Sequence, residues 1–144
     1  MKVGMRVANV VPTVVLSSPL HHLMSRRHLM LHFTGRTSGR QYATPVAYAR
    51  TSEGVVISTD SPWWRNLAAE PRVRLRLRGR SVAATAEVLH DEQAIAALRQ
   101  LVDDVPGYWR PAGIARTNGR RVSDQALVDA VLAGRQVLTL RVGR

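Results

Sequence analysis

The chain has 144 residues, of which 45% are hydrophobic, so it is long enough to bury a core and too apolar to stay disordered. It contains no cysteine, which excludes disulfides and thiolate-bound metals. The 21 basic and 10 acidic residues give a net charge of +11, so we expect an anionic ligand or partner: nucleic acid, an anionic membrane surface or a polyanionic cofactor.

We expect one domain over residues 1–144, beginning with an N-terminal helical segment at residues 1–28. Apolar clusters and arginines are mixed in this segment, and its apolar run contains Pro12 and Pro19 and is too short to span a bilayer. We find no usable signal-peptide cleavage pattern. These features favour a cytoplasmic protein whose terminal helix covers one end of the core. The alternative is peripheral contact with the inner face of a membrane.

Residues 29–89 have the pattern of a β core with one short helix. Strands are predicted at residues 29–33, 41–50, 55–59, 72–78 and 81–89, with Pro45 at a bulge or edge. Ahead of the fourth strand, Asp60 or Ser61 is a candidate helix N-cap, Pro62 suits the first helical position, and Pro71 ends the helix.

The fourth strand, residues 72–78, alternates arginine with apolar residues. This alternation predicts one apolar face and one cationic face, which either tracks phosphates or is simply solvated. We favour the solvated face because no aromatic residue is interleaved with the arginines.

Residues 90–144 are predicted to supply helices and the closing strand. The first helix, residues 91–105, has apolar positions at Ile95, Leu98, Leu101 and Val102. An aromatic segment around Tyr108 follows and would serve as a lid over a site or a plug over the core. Ser123 is expected to cap a helix over residues 124–133, and residues 137–142 are expected to form the last strand.

One turn combines glycine, hydroxyl and arginine side chains. It is expected between the first two strands, at Gly35, Arg36, Thr37, Ser38, Gly39 and Arg40. Glycine lets the backbone approach a ligand closely, hydroxyl groups donate hydrogen bonds, and arginine suits phosphate or carboxylate. The pattern fits an anion-binding turn, although composition alone favours an ordinary arginine-rich hairpin loop.

The common catalytic motifs are absent from the sequence. It has no nucleophile elbow, zinc-protease motif or Walker loop, and its histidines lack the spacing of metal ligands, so we expect no metal site. Two acidic residues of the β region, Asp60 and Glu87, have no evident partner. Few catalytic side chains together with an anion-binding turn suggest an organic cofactor that carries the reaction.

Four separated motifs occur in an order that resembles a known family. They are residues 31–40 (LHFTGRTSGR), 44–46 (TPV), 58–67 (STDSPWWRNL) and 69–73 (AEPRV). Together they resemble the deazaflavin-dependent nitroreductase and F420H2-dependent quinone reductase family of actinobacteria, over residues 29–89. The resemblance implies a mainly β, α+β fold, namely a split β-barrel of the FMN-binding, flavin-reductase-like type with flanking helices.

The resemblance also implies where coenzyme F420 binds. The turn from Gly35 to Arg40 would hold the phosphate and acidic tail, with contacts from Arg36, Ser38 and Arg40. The ring would lie near Thr44 and Pro45. Its other neighbours would be the backbone N–H groups of a loop formed by Ser58, Thr59, Asp60 and Ser61, which Trp64 and Asn66 would support. Tyr108 resembles a catalytic tyrosine on the substrate side.

We therefore expect an F420H2-dependent oxidoreductase that passes a hydride from reduced deazaflavin to a small planar acceptor such as a quinone or nitroaromatic. The alternative is a non-catalytic split-barrel carrier of F420, flavin or a lipophilic ligand, and FMN is the less favoured cofactor. A nucleic-acid partner is not expected, since it rests on charge and the arginine strand alone. The buried-looking strands would allow a homodimer.

Overall fold

A computed structural model describes residues 28–77, 79–110, 112–114 and 121–142. Within these ranges the elements are β1 (His28–Thr34), β2 (Gln41–Ala47), β3 (Ala49–Arg50), β4 (Gly54–Thr59), α1 (Trp64–Ala69), β5 (Arg72–Leu77), β6 (Arg80–Leu89), α2 (Asp91–Asp104), α3 (Asp124–Leu132) and β7 (Gln136–Val142). The predicted N-terminal helical segment lies outside the described residues, except for His28, which begins β1.

The strands form one antiparallel sheet that curls into a half-barrel. Its order is β2-β1-β5-β6-β7-β4-β3. Only Tyr48 separates β2 from β3, yet these two strands lie at opposite edges of the sheet. The prediction of a single strand over residues 41–50 is therefore wrong, because the chain crosses from one edge to the other at Tyr48 and draws the edges together. Pro45 lies in an edge strand, as predicted, where its missing N–H is tolerated.

The concave side of the sheet encloses the first hydrophobic core. Strands β1, β4, β5 and β7 contribute the fully buried side chains Leu29, Leu31, Phe33, Ile57, Leu75, Leu138 and Leu140. The alternation predicted for β5 is confirmed, since Val73 and Leu75 are buried while Arg72, Arg74 and Arg76 are exposed. Gly79 makes the turn to β6 with a φ of +78°, a value that glycine adopts without strain.

Helices α2 and α3 cover the other side of the sheet and form a second core. The buried face of α2 consists of Ala94, Ala97, Leu98 and Leu101. Ile95 and Val102, predicted for this face, are only partly buried at its margin. The capping prediction for α3 is confirmed, because Ser123 Oγ accepts a hydrogen bond from the Ala126 N–H at 3.1 Å. None of the described helices is long and apolar enough to cross a membrane.

The start of α1 differs from the prediction. The helix begins at Trp64, and its N-cap residue Trp63 makes no side-chain capping hydrogen bond. The predicted cap region is instead a turn, in which Thr59 Oγ1 accepts a hydrogen bond from the Ser61 N–H at 3.0 Å and the Pro62 carbonyl accepts one from the Arg65 N–H at 3.1 Å. The helix ends at Ala69, before Pro71, as the sequence predicts.

Candidate functional site

A cavity of about 310 Å³ lies between β2, the end of β4 and the segment that follows α2. Of the residues predicted to bind the ring or the substrate, it is lined by Pro45, Ser58, Thr59, Asp60 and Tyr108. The apolar part of the wall includes Val46, Ala47, Val105, Pro106 and Ala112, and it exposes more surface to the cavity than the polar part does. A mostly apolar cavity with a few convergent polar groups is typical of a site for a planar organic ligand.

The polar side of the cavity is a connected network around Ser58. The Ser58 hydroxyl shares a short hydrogen bond with the Tyr108 hydroxyl and accepts another from Arg135 Nη1 at 2.8 Å. Arg135 Nη2 also lies 3.5 Å from Asp60 Oδ2. Ser58, Tyr108 and Arg135 are all buried, whereas the Asp60 carboxylate is largely exposed. The network therefore places a buried cation beside two hydroxyl groups, and all three side chains line the cavity.

Tyr108 stays protonated in this environment. Burial raises the pKa of its hydroxyl above the ordinary value of 10, and this effect outweighs the hydrogen bond with Ser58 and the nearby charge of Arg135, which act in the opposite direction. A neutral tyrosine can donate a hydrogen bond at physiological pH.

The predicted anion-binding turn joins β1 to β2 and is closed by its own backbone. The Gly35 N–H donates to the Arg40 carbonyl at 2.8 Å, and the Gly39 N–H donates to the Gly35 carbonyl at 2.9 Å. Ser38 Oγ accepts the Arg40 N–H at 3.2 Å and also bonds the Tyr42 hydroxyl at 2.8 Å. From Arg36 to Arg40, Thr37 included, the turn is exposed, so its side chains face solvent.

Asn66 connects this turn to α1. Its buried Oδ1 accepts hydrogen bonds from the Arg36 N–H at 3.0 Å and from Arg36 Nη1 at 2.9 Å. The Asn66 side chain thus hydrogen-bonds the β1–β2 turn, a contact that was not predicted, and its support of the 58–61 segment stays a prediction. Its neighbour Trp64 is half-buried against the first core and has the Arg65 guanidinium 5.9 Å from its ring centroid.

The turn and the cavity lie at two ends of β2. Pro45 is the fifth residue after Arg40, which corresponds to roughly 16 Å along an extended strand. Thr44 is buried beside Pro45 in β2, and Ser61 follows Asp60, but neither of them lines the cavity. A ligand that contacts both places must be elongated, with a planar part in the cavity and an anionic part at the turn.

Among the polar and charged residues of the cavity, His28 and Arg135 were not predicted from the sequence, whereas Trp63 was expected to lie close to the ring. Trp63 is buried and stacks on Phe33 at 5.6 Å between ring centroids. Arg135 reaches Ser58 because β4 pairs with β7, with Thr59 opposite Gln136. This strand pairing would have identified Arg135 as a cavity residue and as the partner of Asp60. The sequence contains no local motif that indicates either contact. The partner of Glu87 is Arg141, at 2.7 Å.

No group of three or more histidine or acidic residues among the described ranges is arranged to hold a metal. The half-barrel with flanking helices is a split β-barrel of the FMN-binding class. Residues 12–126 match the family described as F420H(2)-dependent quinone reductase, and the chain belongs to that family. The family is F420H2-dependent, which confirms the expectation of F420 as cofactor from the sequence motifs.

Comparison with solved structures supports the same fold. The F420-H2 dependent reductase FDR-A is 17% identical and covers 79% of this chain and 95% of its own, with a TM-score of 0.53. The heme storage protein HutZ from Vibrio cholerae is 13% identical over 88% of this chain and 90% of its own, with a TM-score of 0.58. A FAD-binding protein from Mesorhizobium loti is 17% identical over 88% and 91%, with a TM-score of 0.53. No curated protein sequence matches the chain significantly.

The described residues fit the chemistry of F420. The cofactor has a planar ring and an anionic tail, and the chain offers a mostly apolar cavity and an exposed turn with two arginines, separated along one strand. Arg36 uses one guanidinium nitrogen on Asn66, which leaves other N–H donors of its planar fork for an anion.

Proposed function

We propose that this protein is an F420H2-dependent oxidoreductase that reduces a small planar acceptor such as a quinone or a nitroaromatic. The observation that carries the proposal is the cavity itself. Residues predicted to contact the ring or the substrate come from β2, β4, the following turn and the segment after α2, and five of them line one space. Random placement of unrelated residues would not bring them together.

In this proposal the ring occupies the cavity and the tail lies along the turn. Arg36 and Arg40 bind the phosphate and the acidic tail, because arginine forms charge-assisted hydrogen bonds with both groups. Asn66 positions the turn by holding Arg36 at both its backbone and its side chain. Pro45 and Trp63 supply flat apolar surface in the cavity wall.

The reduced cofactor supplies the hydride, and the protein orients the acceptor and excludes water. Tyr108 lies on the substrate side and donates a hydrogen bond to the acceptor oxygen, which gains negative charge as the hydride arrives. A donor aimed at developing charge lowers the barrier because it binds the transition state more strongly than the ground state. The protein acts as a homodimer in the cytoplasm in this proposal, and the acceptor is a small molecule.

The first experiment is a titration of the purified protein with F420 and, separately, with FMN, followed by tryptophan fluorescence. Trp63 lines the cavity, so we expect F420 to quench its emission at micromolar or lower concentration. The variant Trp63→Phe should lose most of the quenching while it retains binding in equilibrium dialysis. If neither F420 nor FMN binds, the oxidoreductase proposal is wrong and a carrier of a different ligand becomes the better explanation.

The second experiment tests the turn. Arg40→Ala removes one exposed charge and should weaken F420 binding by roughly 10-fold. Arg80→Ala is the matched control, because Arg80 is also an exposed arginine next to a hairpin turn but begins β6. Equal losses in the two variants would mean that only the net charge matters, and the proposed tail site would be wrong.

A further inference from the structure

Arg135 is a buried cation that no recognised motif contains. The residue connects α3 to β7, and its side chain is 8% exposed and lines the cavity. A buried guanidinium is costly unless other groups compensate its charge. Its acidic partner Asp60 is 77% exposed and 3.5 Å away, so that pair is loose and largely solvated. The charge of Arg135 is therefore only partly compensated, and it faces the space where a ligand would lie.

The hydrogen-bond donors and acceptors of Arg135, Ser58 and Tyr108 determine which ligand group can bind beside them. Arginine only donates, so the Ser58 hydroxyl must accept from Arg135 Nη1. One hydroxyl proton lies between Ser58 and Tyr108, whichever of the two donates it. The other hydroxyl proton is left over. When it belongs to Tyr108, the Ser58 carbonyl accepts it, but at a long 3.4 Å. The network can therefore donate one hydrogen bond to a ligand oxygen in the cavity.

We infer that Arg135 is a positioning and specificity-determining residue that makes the Ser58–Tyr108 pair a donor to a carbonyl or phenolate oxygen. The guanidinium orders the two hydroxyl groups and favours ligands whose oxygen is, or becomes, negatively charged. A chain of hydrogen bonds that begins at a cation polarises each hydroxyl along it, which strengthens the last donor. The role of Arg135 in catalysis rests on the proposed function, because the oxygen that gains charge there belongs to the electron acceptor. The preference of the cavity for a negatively charged oxygen is a binding property, and it does not require F420.

Binding of 4-nitrophenol tests this inference without cofactor or turnover. The phenolate and phenol forms absorb differently, so an absorbance titration gives the affinity for each form and the pKa of the bound probe. We expect the wild-type protein to prefer the phenolate. Arg135→Gln keeps an N–H donor but removes the charge, so its ratio of phenolate to phenol affinity should fall roughly 10-fold or more. Arg135→Lys should retain part of the preference because it keeps the charge but not the planar fork.

Three controls separate Arg135 from other charges. Arg80→Gln makes the same change of net charge at an exposed site and should leave the ratio unchanged. Among the described residues, the other titratable groups that line the cavity are Asp60, His28 and Tyr108, so Asp60→Asn and His28→Gln are titrated in parallel. If the phenolate preference persists in Arg135→Gln, or if it disappears in His28→Gln but not in the Arg135 variants, the inference is wrong.

Ser58→Ala is a second, independent test that leaves Arg135 in place. It breaks the link to Tyr108, so binding of a neutral carbonyl probe, 1,4-naphthoquinone, should weaken by roughly 10-fold. Unchanged naphthoquinone affinity would overturn the inference even if Arg135→Gln proved unable to fold.

F420 titrations of the same variants distinguish the two proposals. If F420 binds but the affinities for the two probes do not depend on Arg135, only the inference about Arg135 fails. If F420 does not bind but the probes depend on Arg135, only the proposed cofactor role fails.

Discussion

The Asn66 side-chain oxygen accepts two hydrogen bonds from Arg36, one from its backbone N–H at 3.0 Å and one from its guanidinium at 2.9 Å. Thirty residues separate the two positions in the chain. The contact joins the β1–β2 turn to α1, and α1 directly follows Trp63 of the cavity wall. One buried amide therefore fixes the exposed turn relative to the cavity.

We predict that Asn66→Ala destabilises the protein and weakens F420 binding together. The substitution removes the acceptor of a partly buried N–H, which costs about 1–3 kcal/mol of unfolding free energy. Urea unfolding and F420 titration measure the two effects. Gln125→Ala is the control, because Gln125 is an exposed helical amide that bonds Asp129 at 2.8 Å, and its loss should cost under about 0.5 kcal/mol. Full F420 affinity in a destabilised Asn66→Ala would show that the turn is not part of the site.

We predict that Gly35→Ala also disturbs the turn, for a steric reason. A Cβ at Gly35 would lie 2.5 Å from Tyr42 Cε2 and 2.7 Å from Ser38 Oγ. The Tyr42 ring packs against Phe33 at 5.8 Å between centroids, so it has little room to move away. We expect a loss of about 1–3 kcal/mol of stability and weaker F420 binding.

Gly79→Ala separates a general effect of strain from an effect on the site. Gly79 has a φ of +78°, and a Cβ at this position would meet no described atom within 4 Å, so alanine there should cost about 1 kcal/mol through backbone strain alone. Gly79 joins β5 to β6 and belongs neither to the cavity lining nor to the β1–β2 turn, so F420 affinity should not change. A Gly35→Ala protein as stable as wild type would contradict the packing described here.

The sequence predicts those features of the fold and the site that depend on interactions between residues close together in the chain. Strand β5 was predictable because period-two alternation directly encodes a half-buried strand, and the cap at Ser123 because it acts over three residues. The break between β2 and β3 at Tyr48 was not predictable, because the residues on both sides of it have a strand-like pattern. Only the closure of the sheet decides where the chain crosses from one edge to the other. The contact of Asn66 with Arg36 and that of Arg135 with Ser58 were missed for the same reason. Each joins residues that are distant in sequence, and single-sequence patterns carry no signal of such pairs.

We predict that His32 makes the protein less stable as the pH falls below neutral. Burial first, and then the charges of Arg76 and Arg74, lower the pKa of His32 below its ordinary value of 6.5. The group therefore contributes stability above pH 6.5, and this contribution is lost as the pH falls through its folded-state pKa. His32→Gln should flatten the decline between pH 7.5 and 5 in urea unfolding experiments.

The control is His90→Gln, because His90 is an exposed histidine before α2. An equal flattening of the curve in this variant would mean that the effect is not specific to His32. The histidine signals in an NMR titration would test the cause, since Arg76→Gln should raise the pKa of His32 toward 6.5. A His32 that titrates normally in the wild-type protein would show that the arginine face of β5 exerts no effect on it.

We predict that ionisation of Tyr108 lowers the free energy of unfolding of the protein at alkaline pH. Its folded-state pKa is raised above 10 mainly by burial, so the hydroxyl must stay protonated in the folded protein while it ionises freely in the unfolded chain. Its contribution to stability is complete below pH 10 and is lost as the pH rises through the folded-state pKa. Tyr108→Phe should therefore lower stability at pH 8, because Ser58 loses a buried partner, and should show a shallower decline above pH 10.

Tyr42→Phe is the matched control, since its hydroxyl bonds Ser38 at the exposed turn and not in the cavity. Both variants are measured by urea unfolding alongside the absorbance of tyrosinate, and an equally shallow alkaline decline in Tyr42→Phe would mean that the effect is not specific to Tyr108. The two variants also separate the two parts of the site. Tyr108→Phe should retain F420 binding and lose turnover of a quinone, because it lacks the donor to the acceptor oxygen. Tyr42→Phe should keep turnover at saturating F420 and lose some affinity for it. The reverse pattern would place the acceptor at the turn and the tail of F420 in the cavity, contrary to the arrangement proposed here.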